Sequence, residues 1–276
     1  NLTIFHKIVK SYFCLSLGVK FRLNLFMSKT FAVIIPARWA STRFPGKPLA
    51  MIDGQMMVRR VYERASEATP LVWVATDDAR ICDAVEGFGG RAVMTSAAHR
   101  SGTDRCAEAV GKIEKLLGGK IDFVINVQGD EPFIRPDQIT LLRDCFEDPG
   151  VHLATLIRKV GVGEHLDNPN QVKVVVAANM DALYFSRSPI PFVRDVAPEE
   201  WTGRHTFFKH IGMYGYKTDT LGEITKLSVG SLETAENLEQ NRWLENGYKI
   251  RCAVTDHESV GIDTPEDLAN ITGKNR

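Results

Sequence analysis

Residues 31–48 read FAVIIPARWASTRFPGKP. Phe31–Ile35 is a short apolar run rich in β-branched side chains, and Pro36 with a polar, Gly- and Pro-bearing loop stops it. That pattern predicts a buried strand followed by a loop open to ligand. The same alternation repeats downstream. Asp53-Gly54 marks a turn, and Met57, Val58, Val61, Tyr62 and Ala65 recur at helical spacing. A second strand is predicted at Leu71–Ala75, ending in Thr76-Asp77-Asp78. A helix through Ile81, Ala84, Val85 and Phe88 stops at Gly89-Gly90. A third strand follows at Arg91–Met94, then a helix from Thr103 to Leu117 stopped by Gly118-Gly119. A fourth strand, Phe123–Val127, ends in Gln128-Gly129-Asp130-Glu131-Pro132. Buried strands alternating with helices predict an α/β fold with a mostly parallel sheet flanked by helices. The chemically rich residues all fall just after strand ends, where open α/β sheets bind ligands.

After about residue 150 the texture changes. Val151–Arg158, Val172–Ala177, Phe207–Tyr216 and Tyr248–Val254 read as strands with partial alternation, so part of the sheet is expected to be antiparallel. Helices are predicted near 218–227 and 233–246, and a last one begins at Pro265. With no repeat or linker visible, one continuous mixed sheet with an inserted, partly antiparallel subregion is expected.

The 276 residues are 44% hydrophobic and 25% charged, enough to bury a core without disulfide or metal staples. Lys plus Arg (34) equals Asp plus Glu (34), which argues against a basic nucleic-acid coat or an acidic disordered chain. No long apolar run suggests a membrane span. Residues 1–29 carry Lys7, Lys10, Lys20, Arg22 and Lys29 but no acid. The segment 1–26 reads as a signal or transit peptide or, preferably, as an upstream extension before Met27, and is left out of the fold. Five scattered cysteines without CxxC spacing fit a reducing, cytoplasmic setting and neither a disulfide framework nor a zinc site.

The loop after the first strand places Arg38, Arg43 and Lys47 with the hydroxyls of Ser41 and Thr42 inside ten residues. Arg grips phosphate oxygens as a fork and Lys as a point charge, and Gly46 allows close backbone approach. The loop is neither a P-loop nor a GxGxxG fingerprint. The bland alternative is a solvated basic loop.

The run Ile35 to Pro48, I-P-A-R-x-x-S-T-R-x-P-G-K-P, resembles the signature of nucleotidyltransferases that make CMP-sugars. Ser101-Gly102-Thr103-Asp104-Arg105, Val127 to Pro132, Asn168-Pro169-Asn170, Tyr184 to Arg187, His210 to Tyr216, Leu238-Glu239-Gln240 and Asp263 to Asp267 extend the likeness in order. Together they resemble the 3-deoxy-manno-octulosonate (Kdo) cytidylyltransferases, the CMP-Kdo synthetase family, from about residue 30 to 270. Trp39, Lys209 and Asp104 stand where that family often has Tyr, Arg and Glu.

The resemblance implies a Rossmann-like nucleotide-diphospho-sugar transferase fold in a single domain, 27–276. CTP would bind within about 30–150; sugar binding and dimerisation would use about 151–250. It implies that CTP and Kdo give CMP-Kdo and pyrophosphate, for lipopolysaccharide biosynthesis, in a homodimer with no nucleic-acid or membrane partner. Ser101, Arg105 and Gln128 are implied CTP binders alongside Arg38, Ser41, Arg43 and Lys47. Arg187, His210, Tyr214, Glu239 and Gln240 are implied sugar binders, Arg187 matching the sugar carboxylate. Lys47, Arg43 and Asp130 are the expected catalytic residues.

Asp130 and Asp263 are the expected ligands of Mg²⁺, which takes few protein carboxylates and leaves room for phosphate and water. Two helix starts compete at Asp263. Thr264 as N-cap, with Pro265 at N1 and Asp267 at N3, would leave Asp263 free; Asp263 as N-cap with Glu266 at N3 would not. No protein general base stands out, so metal activation of the hydroxyl is the default. His210 and Tyr214 share a strand face that could equally be core. Glu233, Glu236 and Glu239 read as a solvated helical face. The alternatives are a cytidylyltransferase for another acidic sugar (8-amino-Kdo or a sialic acid), a nucleotide-sugar-dependent glycosyltransferase, for which an Asp-x-Asp motif is lacking, or an inactive binding module.

Overall fold

The computed structural model describes residues 29–40, 43–258 and 261–273; the segment 1–26 and Ser41 lie outside the described residues. Strand β1 (Phe31–Ala37) runs at the centre of a nine-stranded sheet. On one side it pairs in parallel with β4 (Val72–Thr76), which pairs in parallel with β5 (Ala92–Met94). On the other side it pairs in parallel with β6 (Phe123–Asn126). The chain thus builds outward from β1 and then returns to its opposite edge, which creates a topological switch between β1 and β6.

Beyond β6 the direction changes, as the alternating pattern after residue 150 predicts. Strand β10 (Phe208–Lys217) is antiparallel to β6 and to β7 (Leu153–Lys159), and β11 (Ile250–Val254) closes that end parallel to β7. A side branch carries β8 (Lys173–Val176), antiparallel to β10 and to β9 (Ala182–Ser186). A small hairpin, β2 (Met51–Ile52) with β3 (Gln55–Met56), flanks the turn at Asp53-Gly54.

The core follows from strand periodicity. Ala32 and Ile34 join one hydrophobic cluster, beneath the helix Gly102–Leu117 and with Leu221 and Trp243. Val33 and Ile35 join the other, with Val58 and Val61 of the helix Met57–Ser66, Ile81 of Ala79–Gly87 and Ile139 of Pro136–Cys145. Alternate residues face opposite sides, and both sides are covered, so every position in Ala32–Ile35 is apolar. Each of these fully buried branched side chains contributes about 1.5–3 kcal/mol.

Several elements differ from the sequence reading, among them the hairpin β2–β3 and the short helix Trp201–Arg204. Strand β9 and the helix Pro136–Cys145 were not expected. The helix expected over 233–246 is two helices, Ser231–Glu236 and Glu239–Glu245, because Asn237 turns left-handed between them (φ 51°). Asn tolerates that conformation and ends a helix there.

Candidate active site

The loop after β1 is shaped by Gly46, whose φ of 70° places it in the left-handed region. A Cβ on it would also come within 3.0 Å of the Trp39 ring. Trp39 is held by the Arg80 guanidinium, 3.4 Å above its ring, and Arg80 in turn donates to the Asp78 carboxylate at 2.6 and 2.9 Å. Gly46 N–H donates to the Trp39 carbonyl at 3.1 Å. The chain then makes a single 3₁₀ turn, Lys47–Leu49, with Pro48 buried. Lys47 therefore points from a fixed turn, not a loose loop.

Opposite it, the chain leaves β6 through Gln128-Gly129-Asp130. Gly129 lies against the end of β1, where a Cβ would be 2.9 Å from the Pro36 carbonyl oxygen. A side chain at position 129 would push Asp130 away from the end of β1. Asp263 arrives from the far end of the sequence. Ile262, fully buried with Ile52 and Met57, joins a small separate cluster that also takes Phe44, Phe133 and Leu268. Its N–H donates to the Asp130 carbonyl at 2.9 Å. The two helix starts resolve cleanly: the Thr264 hydroxyl accepts from Asp267 N–H (3.2 Å), and the Asp267 carboxylate accepts from Thr264 N–H (2.9 Å) and Asp263 N–H (3.0 Å). Those backbone donors hold the Asp267 carboxyl below its usual range. Thr264 is thus the N-cap of Pro265–Gly273, and the Asp263 side chain is left outside the helix.

Lys47, Asp130 and Asp263 converge. The Lys47 ammonium donates to Asp130 Oδ2 at 2.6 Å and to Asp263 Oδ1 at 3.2 Å, while Arg43 pairs with Asp263 Oδ2 at 3.2 Å. Two carboxylates separated by 133 residues therefore face one point. Among the described residues no larger cluster of His, Cys, Asp and Glu surrounds a possible metal position. Two hard oxygen donors beside an open cleft fit Mg²⁺, which leaves its remaining positions to phosphate and water.

Arg38, Arg43, Lys47, Ser101, Arg105, Gln128, Asp130 and Asp263 all line one cleft of about 310 Å³ at the carboxyl ends of β1 and β6. Ser101 caps the helix Gly102–Leu117, accepting from Asp104 N–H at 3.1 Å. Arg105 forms the floor. It is 3% exposed and donates to Thr95 Oγ1 (2.6 Å) and Asp77 Oδ2 (2.9 Å), so much of its donor capacity is spent inside the protein. His99 also lines the cleft and was missed in the sequence reading; its only signal was its place two residues before Ser101. Glu108 holds it there, and the same carboxylate accepts from Ser96 N–H (2.8 Å) and pairs with Lys112 (2.7 Å). Burial works against the Glu108 anion, but Lys112, Ser96 N–H and His99 outweigh it and bring the carboxyl down to about 2.

The expected sugar residues lie outside the lining of this cleft, and Glu239 meets it through Ser101. Glu239 accepts from Thr103 Oγ1 at 2.7 Å and from Ser101. Burial pushes its carboxyl up, against the pull of Thr103 and Arg242. Arg187 binds three main-chain carbonyls, those of Glu236 (2.7 Å), Pro169 (2.9 Å) and Asn237 (3.3 Å). Gln240 is buried beside Glu239. His210 and Tyr214 touch, with ring centroids 5.2 Å apart. Burial brings His210 down to about 3, so it is neutral. The Thr155 hydroxyl lies 2.8 Å from its Nε2 and 2.9 Å from the Met213 carbonyl. With the hydroxyl proton given to Met213, the bonding pattern puts the imidazole proton on Nε2.

The glutamates expected on a solvated face do internal work, because the break at Asn237 aims them differently. Glu233 pairs with Arg242 at 3.0 Å. Glu236 accepts from Ser186 Oγ (2.6 Å) and Arg187 N–H (2.9 Å).

A mixed α/β sheet with a polar cleft at its switch point is the architecture of the nucleotidyltransferases. The 4-diphosphocytidyl-2C-methyl-D-erythritol synthase of Anaerococcus prevotii shares the fold, with a TM-score of 0.56 at 12% identity over 90% of this chain and 98% of that one. The family model described as Cytidylyltransferase matches residues 32–250. The 3-deoxy-manno-octulosonate cytidylyltransferase of Bacteroides thetaiotaomicron is 55% identical over 86% of this chain and 95% of its own length. That of Geobacter sulfurreducens is 49% identical over 87% and 97%. A solved CMP:2-keto-3-deoxy-manno-octonic acid synthetase complexed with CTP superposes with a TM-score of 0.81 at 42% identity, over 90% of this chain and 98% of that one. The chain belongs to the 3-deoxy-manno-octulosonate cytidylyltransferase family and is a nucleotidyltransferase. No helix among the described residues is long and apolar enough to cross a membrane.

Proposed function

We propose that the protein joins CTP to 3-deoxy-manno-octulosonate, giving CMP-Kdo and pyrophosphate, the activated sugar of lipopolysaccharide biosynthesis, and that it does so with Mg²⁺ as a cytoplasmic homodimer. The convergence of Lys47, Asp130 and Asp263 on one cleft carries the reading. The relatives named above support the substrate pair, and the four cysteines among the described residues, all free thiols, suit a reducing compartment.

The anomeric C2 hydroxyl of the sugar attacks the α-phosphorus in line, and pyrophosphate leaves. The physical obstacle is charge, because a carboxylated nucleophile approaches a polyanion. Like charges at 4 Å repel by about 4 kcal/mol at an effective dielectric near 20. Chemistry of this kind rests on positioning and neutralisation. Arg38, Arg43 and Lys47 hold the triphosphate, and Lys47 neutralises charge growing toward the leaving pyrophosphate. Ser41, Ser101, Arg105 and Gln128 complete the nucleotide site, Arg105 from beneath. Asp130 and Asp263 would hold Mg²⁺, which supplies Lewis-acid shielding of the α-phosphate and lowers the pKa of a bound hydroxyl. Arg187 retains N–H groups beyond the three it donates to carbonyls, since a guanidinium has five, and we assign these to the sugar carboxylate. His210, Tyr214, Glu239 and Gln240 read the sugar hydroxyls.

Pyrophosphate release from CTP and Mg²⁺, measured against a panel of acidic sugars, tests this. Release is expected with Kdo and at least about tenfold slower with 8-amino-Kdo or a sialic acid, a difference of about 1.4 kcal/mol in the barrier. Equal or faster release with either competitor would reassign the substrate.

A further inference from the structure

Lys47 is 13% exposed, and its ammonium sits between the two carboxylates expected to hold the metal. A cation there does what a divalent ion would do: it neutralises two carboxylates that otherwise repel across a partly buried cleft. The same ammonium is the one required at the triphosphate. It cannot serve both at once. We propose that Lys47 is a resident cation that keeps the Asp130–Asp263 pair together in the nucleotide-free enzyme and must leave it before a divalent ion enters. The triphosphate draws it away, so nucleotide and metal binding are coupled through one side chain. The proposal rests on reading Asp130 and Asp263 as metal ligands.

Two features favour such an exchange. Lys has a long, flexible stem and a point charge, so a short swing from carboxylate to phosphate leaves the 3₁₀ turn Lys47–Leu49 unchanged. The second cation on Asp263, Arg43, is 67% exposed and screened by solvent, so it competes weakly with an ion. When a competing group fills a site most of the time, apparent affinity falls by the fraction of time the site is free.

The test is binding of Mn²⁺ alone to the nucleotide-free protein, read by the electron paramagnetic resonance of the free ion. K47M is expected to bind Mn²⁺ about tenfold or more tightly than wild type, as for a site filled by the ammonium about nine-tenths of the time. K47R, which keeps a cation, is expected to stay within about twofold of wild type on the same argument. K47Q repeats the comparison should K47M fail to fold. If the neutral variants bind Mn²⁺ no more tightly than wild type, the exchange is overturned. D130N and D263N placed in the K47M background separate the two ideas. Unchanged Mn²⁺ affinity there would overturn the metal-ligand reading, and loss of affinity would uphold it whatever the K47M result.

Discussion

Gly129→Ala tests how tightly the cleft depends on the contact between the ends of β1 and β6. The added Cβ would lie 2.9 Å from the Pro36 carbonyl oxygen and 3.5 Å from Ile35 Cγ2. The first is a backbone atom in a strand paired on both sides, so no side-chain rotation relieves it. Overpacking of this sort costs about 1–3 kcal/mol, against a total stability of about 5–15 kcal/mol, so the protein stays folded. The relief must come from the 128–130 segment, the less restrained partner, and that carries Asp130 away from Lys47 and Asp263. A displacement approaching 1 Å in a positioned catalytic group costs up to about a hundredfold in rate. The expected result is a Gly129→Ala protein with a modestly lowered denaturation midpoint and kcat for pyrophosphate release down by about ten- to a hundredfold. Steady-state kinetics and urea titration on the same preparation give both numbers. Wild-type kcat with the variant folded would refute the argument that this close approach sets the site.

Arg105→Met leaves Asp77 beneath the cleft without its cation; breaking a buried pair costs about 3–5 kcal/mol, visible in denaturant unfolding, and a loss under about 1 kcal/mol would mark the pair as solvent-like. Arg187→Ala should raise KM for the sugar by about ten- to a hundredfold, the worth of a charged hydrogen bond, with KM for CTP unchanged; normal sugar kinetics would discard that assignment. Glu108, with its carboxyl lowered to about 2, contributes stability above its unfolded value of 4.5 and loses it as pH falls from there toward 2. The stability gap between wild type and Glu108→Gln should therefore narrow from pH 6 to pH 3, and a constant gap would show that Glu108 does not tether the His99 loop.

The first strand and its loop were legible because one physical rule governs them. A strand covered on both faces must be apolar throughout, and a ligand loop after it must be polar. The start of the last helix was legible for a similar reason, since capping chemistry is local, and Thr264 with Asp267 satisfied it within four residues. The convergence of Asp263 with Asp130 was not readable from spacing, because it depends on Ile262 packing with Ile52, Met57 and Phe133. Only the ordered motifs of the family suggested it. The roles of Glu233 and Glu236 were hidden for the opposite reason. Helical spacing presumed one continuous helix, and Asn237 breaks it, turning both carboxylates inward to Arg242, Ser186 and the Arg187 backbone. Arg105 resembled a free ligand until Asp77 and Thr95, from the ends of neighbouring strands, were found beneath it.

The central claim is that one cradle built on Lys47, Asp130 and Asp263 transfers the α-phosphorus of CTP to the sugar. CTP labelled in its α-phosphate, incubated with Kdo and Mg²⁺, measures that directly when the products are separated. The label is expected in the sugar nucleotide and not in CMP released alongside a pyrophosphorylated sugar, and Asp130→Asn should cut its appearance by about a hundredfold or more while the protein stays folded. Label released as free CMP while pyrophosphate goes to the sugar, or undiminished transfer by Asp130→Asn, would contradict it.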